Sequence, residues 1–247
     1  MKIFVRSLSL SLFVSSVIFS QTPFESDTIQ TSGGDLTITF YAHASLRLDY
    51  RGQIIYFDPS TGFADFTNQP VADLILVTHH HYDHLDTALI RQLSTSTTRI
   101  IGTAGVSKSL PGISVLKNDE LLTLADITIE AVPAYNMVHE RSPGMPFHPK
   151  GEGNGYVLKF GGTSVYVAGD TEDIPEMKNL EHIDIAFLPM NLPYTMDPSQ
   201  VLSAVKLFHP KVLYPYHTGD THIEELVGLM DNTPEVKDTE VRIRKMP

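Results

Sequence analysis

The chain of 247 residues contains no cysteine. That absence excludes disulfides, thiolate catalysis, thiolate metal ligands and a lipid carried on cysteine, so the fold rests on its core alone. Basic residues are also scarce, with 18 Lys and Arg against 29 Asp and Glu and a net charge of −11. So acidic a chain is a poor non-specific partner for nucleic acid or anionic lipid. No apolar run reaches the about 20 residues of a spanning helix; the stretch from Leu8 to Phe19 is shorter and diluted by serine. There is no linker-like segment, no short tandem repeat and no serine in a G-x-S-x-G context. The "GEGNG" at 151–155 lacks the G-x-x-x-x-G-K-[ST] order of a phosphate loop and reads as a turn.

What remains is ample material for one large domain, with hydrophobic content of 42% and charged content of 19%. Residues 1–20 stand apart. Lys2 and Arg6 precede the Ser-diluted apolar stretch, Ser20 ends it, and the segment holds no acid. This layout is that of a secretory signal peptide, so export to the periplasm or beyond is expected, with no stable membrane insertion after cleavage. Residues 21–35 read as a polar lead-in, and 36–247 as a single domain.

Short alternating or apolar runs predict strands at 36–42, 45–50 and 53–58, with Arg51-Gly52 as a hairpin turn. The continuous apolar run 73–79 predicts a strand buried on both faces, and 86–93 a helix. The second half repeats the style, with a strand pair around Ala125-Asp126 and another around Gly161-Gly162. A buried strand follows at 183–190, then a helix with Asp197 as N-cap and Pro198 at its first position. A strand at 211–217, a helix at 221–230 and a closing strand at 240–246 complete the pattern. Strand-rich blocks alternating twice with a few helices predict an α/β fold, an αβ/βα sandwich of two mixed β-sheets flanked by helices. The one long irregular stretch is 133–154, and a structureless segment of that length inside a domain is usually functional.

The chain has only 11 histidines, and four of them fall in "THHHYDHLD" (78–86). His79 and His81 sit two apart just past the buried strand, where an extended backbone points alternate side chains the same way, towards one metal. Asp83 and His84 follow at the turn into the helix and can serve a second metal beside it. His80 and Tyr82 are out of phase and read as bystanders; Asp86 reads as a helix cap or support. Imidazole and carboxylate donors suit Zn²⁺, Mn²⁺ or Fe. A histidine-rich surface loop is the plain alternative, but the H-x-H-x-D-H order closing a buried strand argues for metal.

This order resembles the signature of the metallo-β-lactamase superfamily. The resemblance covers the chain from about residue 36 to the end. It implies a third histidine for the first metal, a bridging aspartate in a G-D-T-like turn, and a last histidine after a late strand. "YVAGDT" supplies Asp170 and "LYPYHTGD" supplies His217. His139 and His148 both lie in 133–154; His148, just before a Gly-rich turn and strand, is preferred for the third histidine. "YAHASLRLDYRGQIIYFDP" is similar to the G-H-A-S…D-P opening of the branch that includes L-ascorbate-6-phosphate lactonase, with Ala42 in place of the usual glycine. In that branch His43 lies near the metals, while Asp58 is equally a site residue or a turn residue before Pro59. The implied activity is hydrolysis by hydroxide held between two divalent cations, Zn²⁺ foremost, on an ester, lactone, amide or phosphodiester. Asp83 would orient the nucleophile, and His43 would contact the substrate or protonate the leaving group. Lys150, two residues from His148, is a candidate for an anionic part of a small-molecule substrate, and Tyr194 in "NLPYT" a candidate pocket edge. The resemblance also admits an antibiotic-degrading β-lactamase, and the ligands alone a non-catalytic metal-binding protein.

Overall fold

Two stretches of hairpins, each followed by strands that cross over through helices, build the molecule. The computed structural model describes residues 24–246, so the leader at 1–20 lies outside the described residues. The first sheet takes its strands in chain order: β1 (Glu25–Thr31), β2 (Gly34–Ala42), β3 (Ser45–Tyr50), β4 (Gln53–Phe57), β5 (Leu74–Leu76), β6 (Arg99–Gly102) and β7 (Ser114–Val115). Strands β1 to β4 pair antiparallel and β4 to β7 parallel. The chain continues through β8 (Leu121–Leu124), β9 (Ile127–Ala134), β10 (Glu140–Ser142), β11 (Met145–Pro146), β12 (Gly153–Phe160), β13 (Thr163–Val167), β14 (Ile185–Pro189), β15 (Val212–Tyr216) and β16 (Glu240–Val241). The second sheet runs β16-β15-β14-β13-β12-β9-β8, parallel from β16 to β13 and antiparallel from there to β8. The helices are α1 (Thr87–Gln92), α2 (Ala104–Ser109), α3 (Pro198–Phe208) and α4 (Ile223–Asp231).

Alternation along each strand decides the layers. Leu36, Ile38, Phe40 and Leu48 of the first sheet pack against Ile129, Leu158, Phe187 and Tyr214 of the second in one buried cluster. The other face of the second sheet buries Val157, Tyr166 and Ala186 under Val205 and Phe208 of α3 and Leu226 of α4. On the first sheet, Tyr56 and Ile75 lie under Ile90 of α1 and Val106 of α2. The result is the αβ/βα sandwich that the sequence predicts. Among the described residues no helix is long and apolar enough to cross a membrane.

Local signals read correctly where their cause is local. Arg51 and Gly52 both take positive φ, 51° and 80°, as a tight twisted hairpin requires. Asp86 caps α1 by accepting from the backbone N–H of Ala88 and Leu89. Asp197 caps α3 reciprocally with Gln200, and Pro198 follows it.

Four differences have physical causes. Within the polar lead-in, Glu25–Thr31 forms edge strand β1, which the sequence conceals because its half-buried side is Asp27, Ile29 and Thr31, only one of them apolar. The segment 133–154 is not wholly irregular: β10 and β11 form a small hairpin inside it, pairing Glu140 with Pro146. The buried strand predicted at 73–79 keeps ladder pairing only over Leu74–Leu76, and its last residue, His79, opens the histidine loop. Of the closing strand at 240–246, only Glu240–Val241 pairs with β15. Beyond it Arg244 turns inward to bind Asp27 of β1, with both contacts at 2.6 Å.

Candidate metal centre

The carboxyl ends of the parallel strands are where side chains leave the ladder and converge, the usual site position in such sheets. The loop after β5 carries His79, His81, Asp83 and His84; Asp170 follows β13, and His217 follows β15. His148 comes from the turn between β11 and β12, and His43 from the corner between β2 and β3. Together they form three donor groups whose ligand atoms lie within 4.8 Å of one another: His79, His81 and His148; His43, Asp83, His84 and His217; and His79, His84 and Asp170. Asp170 lies between the first two. Its Oδ2 is 3.2 Å from His148 Nε2 and 3.5 Å from His217 Nε2, and its Oδ1 is 3.4 Å from His84 Nε2.

Backbone strain marks the same positions. His43, Asp58 and His217 are non-glycine residues with φ of 55°, 42° and 49°. Such conformations cost roughly 1–3 kcal/mol each and persist only where surrounding structure enforces them. Here His217 N–H donates to His43 C=O at 3.0 Å, tying two of the three together. Gly169 of the G-D-T turn has φ of 66°, and a Cβ there would come within 2.8 Å of Asn154 O. Only glycine fits, and Asp170 is aimed by that turn.

Outward-facing ring nitrogens are gripped so that the inward ones are left to a ligand. His84 Nδ1 lies 2.8 Å from Asp58 Oδ2, and Asp58 is fixed in turn by the N–H and hydroxyl of Thr78, which donate to it at 2.8 and 2.6 Å. His148 Nδ1 lies 2.7 Å from Asn136 Oδ1 and His79 Nδ1 3.0 Å from Thr78 Oγ1, both acceptors, while His217 Nδ1 lies 3.2 Å from Asn191 Nδ2. Metal-binding histidines characteristically have such outer partners. On the inner side, His84 Nε2, His217 Nε2 and Asp170 Oδ1 are buried with no hydrogen-bond partner among the described residues. Buried polar atoms are rarely left so, and here all three point into one small volume.

The electrostatics agree. Burial opposes charge on His84, yet the carboxylates of Asp170 and Asp58 outweigh it and hold its pKa well above 6.5. Burial alone would raise the Asp170 carboxyl, but His217, His84 and His148 hold it well below the usual range. Asp83 is likewise depressed against burial by the imidazoles of His217 and His43. Burial, with His148 beside it, pushes His81 down to about 4, so this ring is neutral at pH 7. A place that favours an imidazolium between fixed carboxylates favours a cation, and neutral rings facing it are ready donors. The donor set therefore fits divalent metal.

A protein-family model described as a beta-lactamase superfamily domain matches residues 37–217. A UPF0173 metal-dependent hydrolase of Carboxydothermus hydrogenoformans is 32% identical over 195 residues, covering 74% of this chain and 84% of that one. The chain belongs to the metallo-β-lactamase superfamily. Its relatives carry the description of metal-dependent hydrolases, and it is a metal-dependent hydrolase among them. A protein of known crystal structure from Parabacteroides distasonis is 48% identical with a TM-score of 0.85, covering 91% of this chain and 100% of that one. A metallo hydrolase from Ignicoccus hospitalis shares the fold at 24% identity and a TM-score of 0.64, over 85% of this chain and 95% of that one.

Within this metallo-β-lactamase fold the two candidate histidines have different neighbours. His148 enters the donor group with His79 and His81, whereas His139 Nδ1 lies 2.8 Å from Glu172 Oε1 and joins no donor group. Asp58, left even by the sequence, is the partner that fixes His84. His43 lies with Nε2 3.2 Å from Asp83 Oδ2, its ring stacked on Phe63 at 3.8 Å. His80 packs against Gly105 of α2 and belongs to no donor group.

Above the donors opens a cleft of about 1170 Å³, walled by Phe63, Phe147, Leu192 and Tyr194. Tyr194 is among the lining residues, its ring set T-shaped against Phe147 at 5.0 Å. Tyr82, read as a bystander, also lines the cleft and is 86% exposed at its rim. Lys150 is not among the residues that line this cleft; its ammonium donates to Glu176 at 2.6 Å and to the Tyr135 hydroxyl at 3.2 Å. The cation in the cleft is Arg141, on β10.

Sequence reasoning passed over Thr78, Asn136, Asn191 and Glu172. Glu172 is fully buried and accepts from the backbone N–H of Met137, Val138 and His139 and from Asn136 Nδ2, at 2.7 to 3.0 Å. It thereby holds the loop whose Asn136 grips His148. A charged residue directly after G-D-T, at the end of a buried strand, was the one available signal; the other three are ordinary loop residues in sequence.

Proposed function

We propose that the chain is a hydrolase in which two divalent cations, Zn²⁺ foremost, promote attack of water on an ester, lactone, amide or phosphodiester of a small molecule. The observation that carries this reading is the convergence of three buried, unpartnered polar atoms, His84 Nε2, His217 Nε2 and Asp170 Oδ1, on one point beneath an open cleft. His79, His81 and His148 would hold one cation, Asp83, His84 and His217 the other, and Asp170 both. Such cations, when bound, acidify a shared water and polarise the scissile group.

The chain's own groups supply the rest. His43 is mostly buried between Phe63 and Asp83, and burial keeps its pKa below 6.5 although Asp83 opposes this. It is therefore neutral at pH 7 and able to take a proton at one nitrogen and release one to a leaving group. Asp83 Oδ2 receives the imidazole of His43 and lies 3.8 Å from both His84 Nε2 and His217 Nε2, so it orients a water on that side. Phe63, Phe147 and Leu192 exclude bulk water from the bound substrate. Tyr194 at the rim contacts what enters. Export follows from the leader at 1–20 on the same reading, and N-terminal sequencing of protein recovered outside the cytoplasm tests it.

The deciding experiment is a panel of lactones, aryl esters, amides, phosphodiesters and a chromogenic cephalosporin, run with Zn²⁺, Mn²⁺ or Fe. Metal-dependent turnover of one class, abolished in His79→Ala and Asp170→Ala, supports the reading. Turnover unaffected by both substitutions would sink it, and cephalosporin as the preferred substrate would convert it to a β-lactamase.

A further inference from the structure

Five histidines in the donor cluster have an outward ring nitrogen with a partner, and one partner is a group with no acceptor to offer. His79, His84 and His148 face a hydroxyl, a carboxylate and an amide oxygen, which accept a hydrogen bond, and His217 faces the Asn191 side chain, whose amide carries an acceptor oxygen beside the Nδ2 that lies 3.2 Å away. His81 instead faces Arg141, whose Nη2 lies 3.0 Å from His81 Nε2. Guanidinium has five donors and no acceptor. It can bond His81 only while that ring carries its proton on Nδ1, the atom 3.0 Å from His79 Nε2 and facing the cluster. Once Nδ1 serves as a ligand atom, the ring proton sits on Nε2, donor meets donor, and the guanidinium is released into the cleft. Arg141 is thus not built to support His81.

Its other contacts are loose. Nη2 also reaches Phe147 C=O at 3.3 Å, and the guanidinium lies over the Phe147 ring at 5.7 Å. Among the described residues no carboxylate pairs with it, and Nε and Nη1 make no hydrogen bond, although the chain is acidic overall. Arg141 is also the one Lys or Arg among the residues that line the cleft. An unpaired planar fork with free donors beside an aromatic wall is suited to an oxyanion carried on an apolar body.

We infer that Arg141 is a specificity-determining residue that binds a carboxylate or phosphate group of the substrate, so that the cleft takes an amphiphilic anion whose apolar part rests on Phe147 and Tyr194. This deepens the hydrolase reading and rests on it for the word substrate, but the binding claim stands separately. The test is calorimetric titration of the zinc-loaded full chain with phenylacetate, phenyl phosphate and the neutral isostere phenylacetamide. At least one anion should bind about tenfold or more tightly than the amide, in keeping with a charge-assisted hydrogen bond. Whichever anion binds better identifies the oxyanion. Arg141→Ala should erase that preference, Arg141→Lys should keep part of it, and Lys150→Ala should leave it intact. A preference that survives Arg141→Ala would mean that the metals alone hold the anion and would overturn the inference, as would its loss in Lys150→Ala. Paired neutral and anionic aryl esters separate the two readings. Arg141-dependent binding without turnover of any ester refutes the hydrolase reading alone; equal turnover of both esters, unchanged by Arg141→Ala, refutes the anion site alone.

Discussion

Asp58→Asn tests whether the outer partners of the histidines govern metal binding. Asp58 is fully buried, and its carboxylate accepts from the Thr78 N–H at Oδ1 and from the Thr78 hydroxyl and His84 Nδ1 at Oδ2. Asparagine preserves the volume and can keep an oxygen towards the Thr78 N–H. Its NH₂ must then occupy the Oδ2 position, where Thr78 Oγ1 can reverse and accept. His84 can accept only by moving its proton from Nδ1 to Nε2, the atom that faces Asp170. Metal binding at Nε2 would then require breaking that arrangement. Loss of one hydrogen bond to a charged group is worth roughly 1.5–3 kcal/mol, so affinity for the metal held through His84 should fall about 10- to 100-fold. Competition against a chromogenic chelator measures it, and urea unfolding of the metal-free proteins checks that the variant folds. A folded Asp58→Asn protein that binds metal with wild-type affinity and stoichiometry would refute the reasoning.

His148→Ala should lower the metal content by about one ion per chain, whereas His139→Ala, whose ring faces Glu172, should leave it unchanged; elemental analysis after metal-replete purification distinguishes them. For Glu172, burial alone would raise the carboxyl, but Asn136 and the three backbone N–H groups hold it below its ordinary 4.5. Its stabilisation is therefore fully present above that value and fades as pH falls through the lower folded-state one. Glu172→Gln should cost about 1–3 kcal/mol at neutral pH, and the gap to wild type in urea midpoint should close on acidification. A gap that stays constant into the acid range would show that the charge of Glu172 is not what holds the loop.

How far the chain could be read in advance followed the range of the forces involved. Arg51-Gly52, Asp86, Asp197 and Pro198 act on backbone within a few residues, and each was legible. The same holds for His79, His81, Asp83 and His84, because alternation past a strand end is a local geometry. Asp170 and His217 could be placed only by resemblance to a family, since nothing near them says which strand ends meet. Strand β1 was hidden because an edge strand needs little apolar surface, and its anchorage comes from Arg244, more than 200 positions away in the chain.

By itself, then, the sequence determined the two-sheet α/β architecture, the acidic and cysteine-free chemistry, and a metal-binding loop at 78–86, all properties of composition and short-range period. Only the tertiary structure decided what lies opposite that loop. It set His148 beside His79 and His81 and His139 beside the buried Glu172, placed Asp58 against His84, and lined the cleft with Arg141 and not with Lys150. Lys150 and Arg141 lie nine positions apart, Arg141 on the small β10–β11 hairpin and Lys150 just past it. Which of them faces the cleft depends on how that hairpin packs over His81, and packing of this kind is fixed by contacts between distant segments.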